Sequence, residues 1–244
     1  MNKIKVKGIV ISDTNYSESS KILHVLTEEY GLIGILSKGC RNYKSKLRSV
    51  SMKLSYCYFY INYKEDGLSI LTDADIIDDF KNIKTDLNRI GFSSYLIDLA
   101  KQVIRQNNNG EIFNILESAL IKINSSFDCD IITNIVELKY LSFLGVSPIL
   151  DRCAICGSDK NIITVNSDAG GYICEACYTN EYITDDKTVK LLRMFQYVDI
   201  SKIKELNIKD KNKQEINKFL EDYYIKYTGL YLKHKNFLEQ INQN

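Results

Sequence analysis

Four of the seven cysteines stand in two pairs, Cys153-Ala-Ile-Cys156 and Cys174-Glu-Ala-Cys177, with seventeen residues between the pairs. A C-x-x-C turn presents two thiolates about one tetrahedral edge apart, and two such turns complete four-coordinate sulfur ligation. Gly157, Gly170 and Gly171 lie beside the turns and suit a tight backbone. The chemistry this predicts is metal binding, and the expected metal is Zn2+. Sulfur fills every coordination position, so no water can be activated and the zinc is expected to be structural. Two redox pairs, or cysteines kept for packing, are the bland alternative. A [4Fe–4S] cluster, whose motif groups three cysteines closely, fits the spacing less well. Cys40, Cys57 and Cys129 stand alone and read as small buried hydrophobes.

The second cluster is cationic. Lys38, Arg41, Lys44, Lys46 and Arg48 place five cations in eleven residues, Lys53 follows, and no Asp or Glu occurs between Lys38 and Lys64. The net charge of the whole chain is only +1, so the distribution, not the balance, points to an anion-binding face. A solvated charged loop is the competing reading. The segment precedes the aromatic-rich run Leu54–Tyr63, and in small barrels a basic loop beside stacking aromatics forms a groove for single-stranded nucleic acid. Lys and Arg would meet phosphates and Tyr43 could stack on a base. Tyr56, Tyr58 and Tyr60 are expected as barrel core rather than stacking platforms.

Other chemistry is absent by pattern. His24 and His234 have no nearby nucleophile motif and read as structural. Asp73, Asp75, Asp78 and Asp79 form an acidic run; Asp78 and Asp79 suit the start of a helix. Neither GxxxxGK[ST] nor GxGxxG occurs, so no nucleotide site is expected.

The elements that must position these groups come in two styles. Ile4–Ile11, Lys21–Thr27, Leu32–Ser37, Val50–Tyr63 and Leu68–Ile76 read as strands, with glycine turns at Gly31 and Asp66-Gly67. In the last of these Leu68, Ile70, Ala74 and Ile76 are expected in register. Five short strands without a helical period suggest a small closed barrel of the OB-fold type, because closure removes edges. From Asp78 the apolar period is helical: about 80–103, Ile112–Ile123, Ile131–Leu144, Thr188–Val198 and a long final helix over about Gln214–Ile241, with a break at Asn107–Gly110 and a stop at Gly145 and Pro148. The fold class expected is α+β: an N-terminal five-stranded OB-fold barrel over 1–78, then an all-helical C-terminal domain over 79–244 with an inserted four-cysteine zinc module at about 150–180. Apolar residues at 45% and charged ones at 26% suit a globular chain with a sizeable core. No run of about 18 apolar residues exists, and the N-terminus reads as a first strand rather than a signal peptide, so the expected location is cytoplasmic.

Three stretches resemble the RecO family of bacterial recombination mediators, in the family's order. GIVISDTNYSESSKILHVLTEEYGLIGILSKGCRNYKSKL is similar to its N-terminal signature, ELKYLSFLGVSPILDRCAICG to its central one, and GGYICEACY to its second cysteine pair. Where the family often has Ala-Arg-Arg after Lys-Gly, this chain has Cys40-Arg41-Asn42, one charge fewer. The resemblance implies a nucleoid-associated DNA-repair protein with no catalytic centre. Such a protein binds single- and double-stranded DNA and anneals complementary strands. It works with RecR to load the RecA recombinase onto strands coated by single-strand-binding protein, whose C-terminal tail would be a partner. By position, Lys38, Arg41, Lys44, Lys46 and Arg48 would contact DNA, with Tyr43 and Lys53 added from the residue pattern. Two readings from other classes compete: a zinc-stabilised protein-interaction adaptor, and a nucleic-acid-modifying enzyme using barrel and zinc module as accessory parts.

Overall fold

The computed structural model describes residues 2–230. By packing, the chain divides into two compact units, Met1–Asn124 and Ser125–Asn244. Strands give way to helices at Asp78, but the first three helices pack in the same unit as the strands.

The first unit is built on β1 (Asn2–Tyr16), β2 (Ser20–Thr27), β3 (Gly31–Ser37), β4 (Tyr56–Tyr63) and β5 (Ser69–Asp78). They close in the order β1-β2-β3-β5-β4, with β3 and β5 parallel and the other pairs antiparallel. This is the OB-fold barrel. Its interior takes the period-2 residues of each strand: Val6 and Val10, Leu23 and Val25, Ile35, and Cys57, Phe59 and Ile61. Each large side chain buried there contributes roughly 1.5–3 kcal/mol. The helices α1 (Lys81–Lys84), α2 (Leu87–Gln106) and α3 (Glu111–Asn124) follow. Asp86 caps α2 by accepting from Arg89 N at 3.0 Å, a contact worth about 1 kcal/mol. Where α2 packs on β1, the strand is buried on both faces, at Ile9, Val10 and Ile11. Asp78 and Asp79 accept from Phe80 N (2.7 Å) and Lys81 N (3.0 Å), in keeping with a helix-start role.

Three expectations about the strands need correction. The long strand from Val50 begins only at Tyr56: Leu54 has φ +68, and ladder pairing with β1 starts at Ile9–Tyr56. In β5 a register shift between Tyr60–Asp73 and Ile61–Leu71 turns Leu71 into the core and leaves Ile76 exposed, so Leu68 to Ile76 do not share one face. The tyrosines of β4 are not barrel core. Phe59 and its period-2 neighbours occupy the narrow interior, which sends Tyr56, Tyr58 and Tyr60 outward. Tyr56 is buried outside the wall, stacked on Phe80 (5.6 Å, 10°) and donating to Glu117. Tyr58 is 37% exposed under Lys5 Nζ (4.0 Å), and Tyr60 Oη donates to Asp75 at 2.8 Å.

The second unit holds α4 (Cys129–Phe143), a three-stranded sheet of β6 (Ile149–Cys153), β7 (Ile162–Asn166) and β8 (Gly171–Cys174), then α5 (Asp186–Tyr197) and α6 (Asp210–Tyr227). The sheet order is β6-β8-β7. Asp128 caps α4 and Asp185 caps α5. α4 stops where Gly145 takes φ +73 and Val146 N donates back to Leu141 O. The final helix is shorter than expected at its described end. Thr228 Oγ1 donates to Tyr224 O, Gly229 has φ +61, and α6 ends at Tyr227. The expected continuation to Ile241, with His234, lies outside the described residues. Among the described residues no helix is long and apolar enough to cross a membrane.

Candidate metal centre and nucleic-acid interface

The metal centre is assembled by the three-stranded sheet. Cys153 ends β6, Cys156 lies in the turn after it, Cys174 ends β8, and Cys177 closes a 3-10 turn over Glu175–Cys177. Cys153 N donates to Ser158 O (2.7 Å) and Gly157 N to Cys153 O (2.9 Å), which folds the first turn back on itself. Gly157 makes this possible with φ +76. The second turn is brought in by pairing of β6 with β8, and the approach is close. A Cβ on Gly171 would lie 2.2 Å from the carbonyl oxygen of Ile149. Tyr172 Oη donates to the Val189 carbonyl of α5, and Tyr227 Oη of α6 donates to Ser167 O (2.9 Å), so both helices hold the sheet.

The four Sγ atoms lie within 4.8 Å of one another, with Cys156 and Cys174 3.6 Å apart. A tetrahedral site with metal–sulfur bonds of about 2.3 Å has sulfur–sulfur edges of about 3.8 Å, so these residues could hold a metal ion. Burial raises the Cys153 pKa, but backbone N–H groups of Cys156, Cys174 and Ile155 outweigh it and the net shift is downward. Bonding to Cys156, then burial, pushes the Cys177 thiol up. Of the other cysteines, Cys40 and Cys57 are buried and Cys129 is half-buried; burial pushes the Cys57 thiol up to about 12.

The basic segment runs from the end of β3 to the start of β4 as a series of turns. Asn42 N donates to Gly39 O, Ser45 N to Asn42 O, Arg48 N to Ser45 O and Ser51 N to Arg48 O. One end is tied to the β1–β2 turn by Arg41 N to Ser19 O (2.9 Å) and the other to β1 by Leu54 N to Val10 O (2.9 Å). Cys40, Val50 and Leu54 are buried, Leu47 packs against the barrel core, and the charged residues between them are left outside. Lys38, Arg41, Tyr43, Lys44, Lys46 and Arg48 are all exposed, Tyr43 at 87%. Among the described residues none of these five cations forms an ion pair, whereas half-buried Lys53 lies 3.7 Å from Asp98.

The family models account for both halves. The model described as Recombination protein O N terminal matches residues 1–80, and the one described as Recombination protein O C terminal matches residues 84–236. The chain belongs to the RecO family. Curated relatives agree with this RecO membership over nearly the whole chain. DNA repair protein RecO of Bacillus pumilus (strain SAFR-032) is 34% identical over 242 residues, covering 98% of this chain and 94% of the relative. The RecO of Listeria monocytogenes serotype 4b (strain CLIP80459) is 31% identical over 243 residues (98% and 95%), and that of Bacillus subtilis (strain 168) 32% over 241 (97% and 94%). RecO membership gives the chain a role in DNA repair and recombination.

Two features of this candidate site escape the sequence reading. Lys21, at the start of β2 and opposite Ser37 at the end of β3, adds a cation beside the basic segment; only knowledge of the cross-strand register reveals its place there. Asp13 organises that corner, accepting from Lys21 Nζ (2.6 Å) and from Lys53 N (3.1 Å). His24 stays structural in character, with Nδ1 3.3 Å from Ser12 Oγ.

Proposed function

We propose that the chain is a recombination mediator of DNA repair that binds single- and double-stranded DNA and anneals complementary strands without a catalytic centre. Lys38, Arg41, Lys44, Lys46 and Arg48 meet phosphates; Tyr43 stacks on a base; Lys53 is a secondary contact. Annealing needs two polyanions held with their repulsion screened, which a cationic surface does without covalent chemistry. The observation that carries this reading is the set of exposed cations that form no ion pair among the described residues along the segment between β3 and β4. In this reading residues 1–78 form the nucleic-acid-binding domain and 79–244 a helical domain around a zinc module at about 150–180. Zn2+ on Cys153, Cys156, Cys174 and Cys177 is structural: four thiolates leave no open position for chemistry. RecR and the C-terminal tail of single-strand-binding protein are the protein partners, RecA recombinase is served indirectly, and the work is done in the cytoplasm at the nucleoid. The test is annealing of two labelled complementary strands with no nucleotide present. The chain should accelerate duplex formation, and Lys44→Glu with Lys46→Glu should remove the acceleration. Transfer of a labelled nucleotide to the chain would instead favour the modifying-enzyme reading.

A further inference from the structure

Beside the basic segment lies a cleft of about 380 Å3 lined by Lys21, Cys40, Arg41, Arg48, Ser51 and Met52, within the roughly 300–1,000 Å3 of small-molecule sites. Its charged walls are all cations. Lys21 is fixed, with Nζ 2.6 Å from Asp13 Oδ1 and 3.2 Å from the Ser51 carbonyl. Arg41 is fixed at both ends: its N–H donates to Ser19 O (2.9 Å) and its Nη1 to Ser17 O (3.1 Å). The Arg48 guanidinium lies 5.7 Å from the centre of the Tyr43 ring. Among the described residues Asp13 is the one carboxylate in contact with any of the three, so three cations less one carboxylate leave a charge of +2. Glu18, exposed in the β1–β2 turn, forms no ion pair among those residues.

We infer that this cleft takes the terminal phosphate monoester of a DNA strand. Near pH 7 a phosphate monoester carries about −1.5 to −2 charges, against one for an internal diester, and two unsatisfied positive charges match the former. Buried Cys40 and Ser51 are among the residues that line this recess. Such a shape admits a strand end more readily than a continuous backbone, which must enter and leave. Met52, 53% exposed, offers an apolar face to the terminal base at the rim. The inference rests on DNA binding by the basic segment as proposed above, and adds to it a preference for phosphorylated ends.

The test measures affinity of the full chain for one single-stranded oligonucleotide prepared with a 5′-phosphate, with a 3′-phosphate, and with hydroxyls at both ends. A phosphorylated end, at one or other terminus, should bind roughly fivefold to tenfold tighter, the scale of one partly exposed charge-assisted hydrogen bond. The preference should shrink below about pH 6, where the monoester dianion takes up a proton and falls to one negative charge. Arg41→Gln and Arg48→Gln should bring the ratio towards one. Lys44→Gln, outside the cleft, should weaken all three oligonucleotides and keep the ratio. Equal affinity of the unaltered chain for all three overturns the cleft assignment and leaves DNA binding by the segment standing, as does loss of the ratio in Lys44→Gln. Absence of binding to any of them removes both.

Discussion

At the cysteine cluster four sulfur atoms lie within 4.8 Å of one another, whereas the five cations of the basic segment are spread over eleven residues and face solvent. The cysteine geometry is set by close backbone approach: a glycine against a neighbouring strand, turns closed by their own N–H groups, and two helices holding the sheet. The cations are set indirectly. Buried Cys40, Val50 and Leu54 pin the chain, and the charged residues are outside because the apolar ones are inside. The first arrangement tolerates almost no displacement. As a surface for a polyanion, the second would need only a net field, since phosphate contacts add charge by charge.

This difference can be broken in order of expected effect. Replacing Cys156 and Cys177 together by serine should abolish metal binding and lower the melting temperature by more than about 10 °C, because binding free energy at a structural zinc site is folding free energy. Affinity for a single-stranded oligonucleotide should change by less than about threefold. A parallel collapse of both would mean the two regions are not separable. The reciprocal variant, Lys44→Glu with Lys46→Glu, should lower DNA affinity on the order of 100-fold at moderate salt while metal analysis still finds one ion per chain.

Acid should act on the two regions by different routes, and this is the smallest effect. Burial, then the nearby charges of Lys101 and Arg105, lowers the His24 pKa from 6.5. The unfolded chain therefore takes up a proton that the folded chain resists. The associated stability is present above about pH 6.5 and is lost as pH falls through the lower folded value. His24→Gln should flatten this loss, a small effect because the site is only partly desolvated, in denaturant unfolding followed between neutral and mildly acid pH. Metal release on acidification, which comes from protonation of thiolates, should be unchanged in the same variant.

The sequence made the cysteine set legible because its information is local: spacing alone brings each pair together, and the thiolate is the only chemistry on offer. Most strands and helices were legible from their periods, down to the stop at Gly145, but the start of β4, the register of β5 and the described end of α6 were not. The sheet that carries the cysteines was not, since β6, β7 and β8 are only four or five residues long and two-residue periodicity cannot show in so short a run. The tyrosines of β4 misled for a different reason. Alternation gives two faces but does not say which one turns inward, and the decision was made by Phe59 filling a narrow barrel and by Glu117, sixty-one residues away, accepting from Tyr56. Lys21 and Asp13 fall in the basic N-terminal stretch, but their place together beside the segment was not legible for want of strand register.

The central claim is tested most directly by the salt dependence of binding to a protein-free single-stranded oligonucleotide, with metal content measured on the same sample. Five cations, unpaired among the described residues, give an upper bound of about −3.5 for the slope of log affinity against log salt, and each one removed should reduce it by about 0.7. A slope approaching that bound, falling stepwise in Lys44→Gln and Arg48→Gln at constant metal content, is the predicted result. A flat response, or a slope indifferent to both substitutions, would contradict the account.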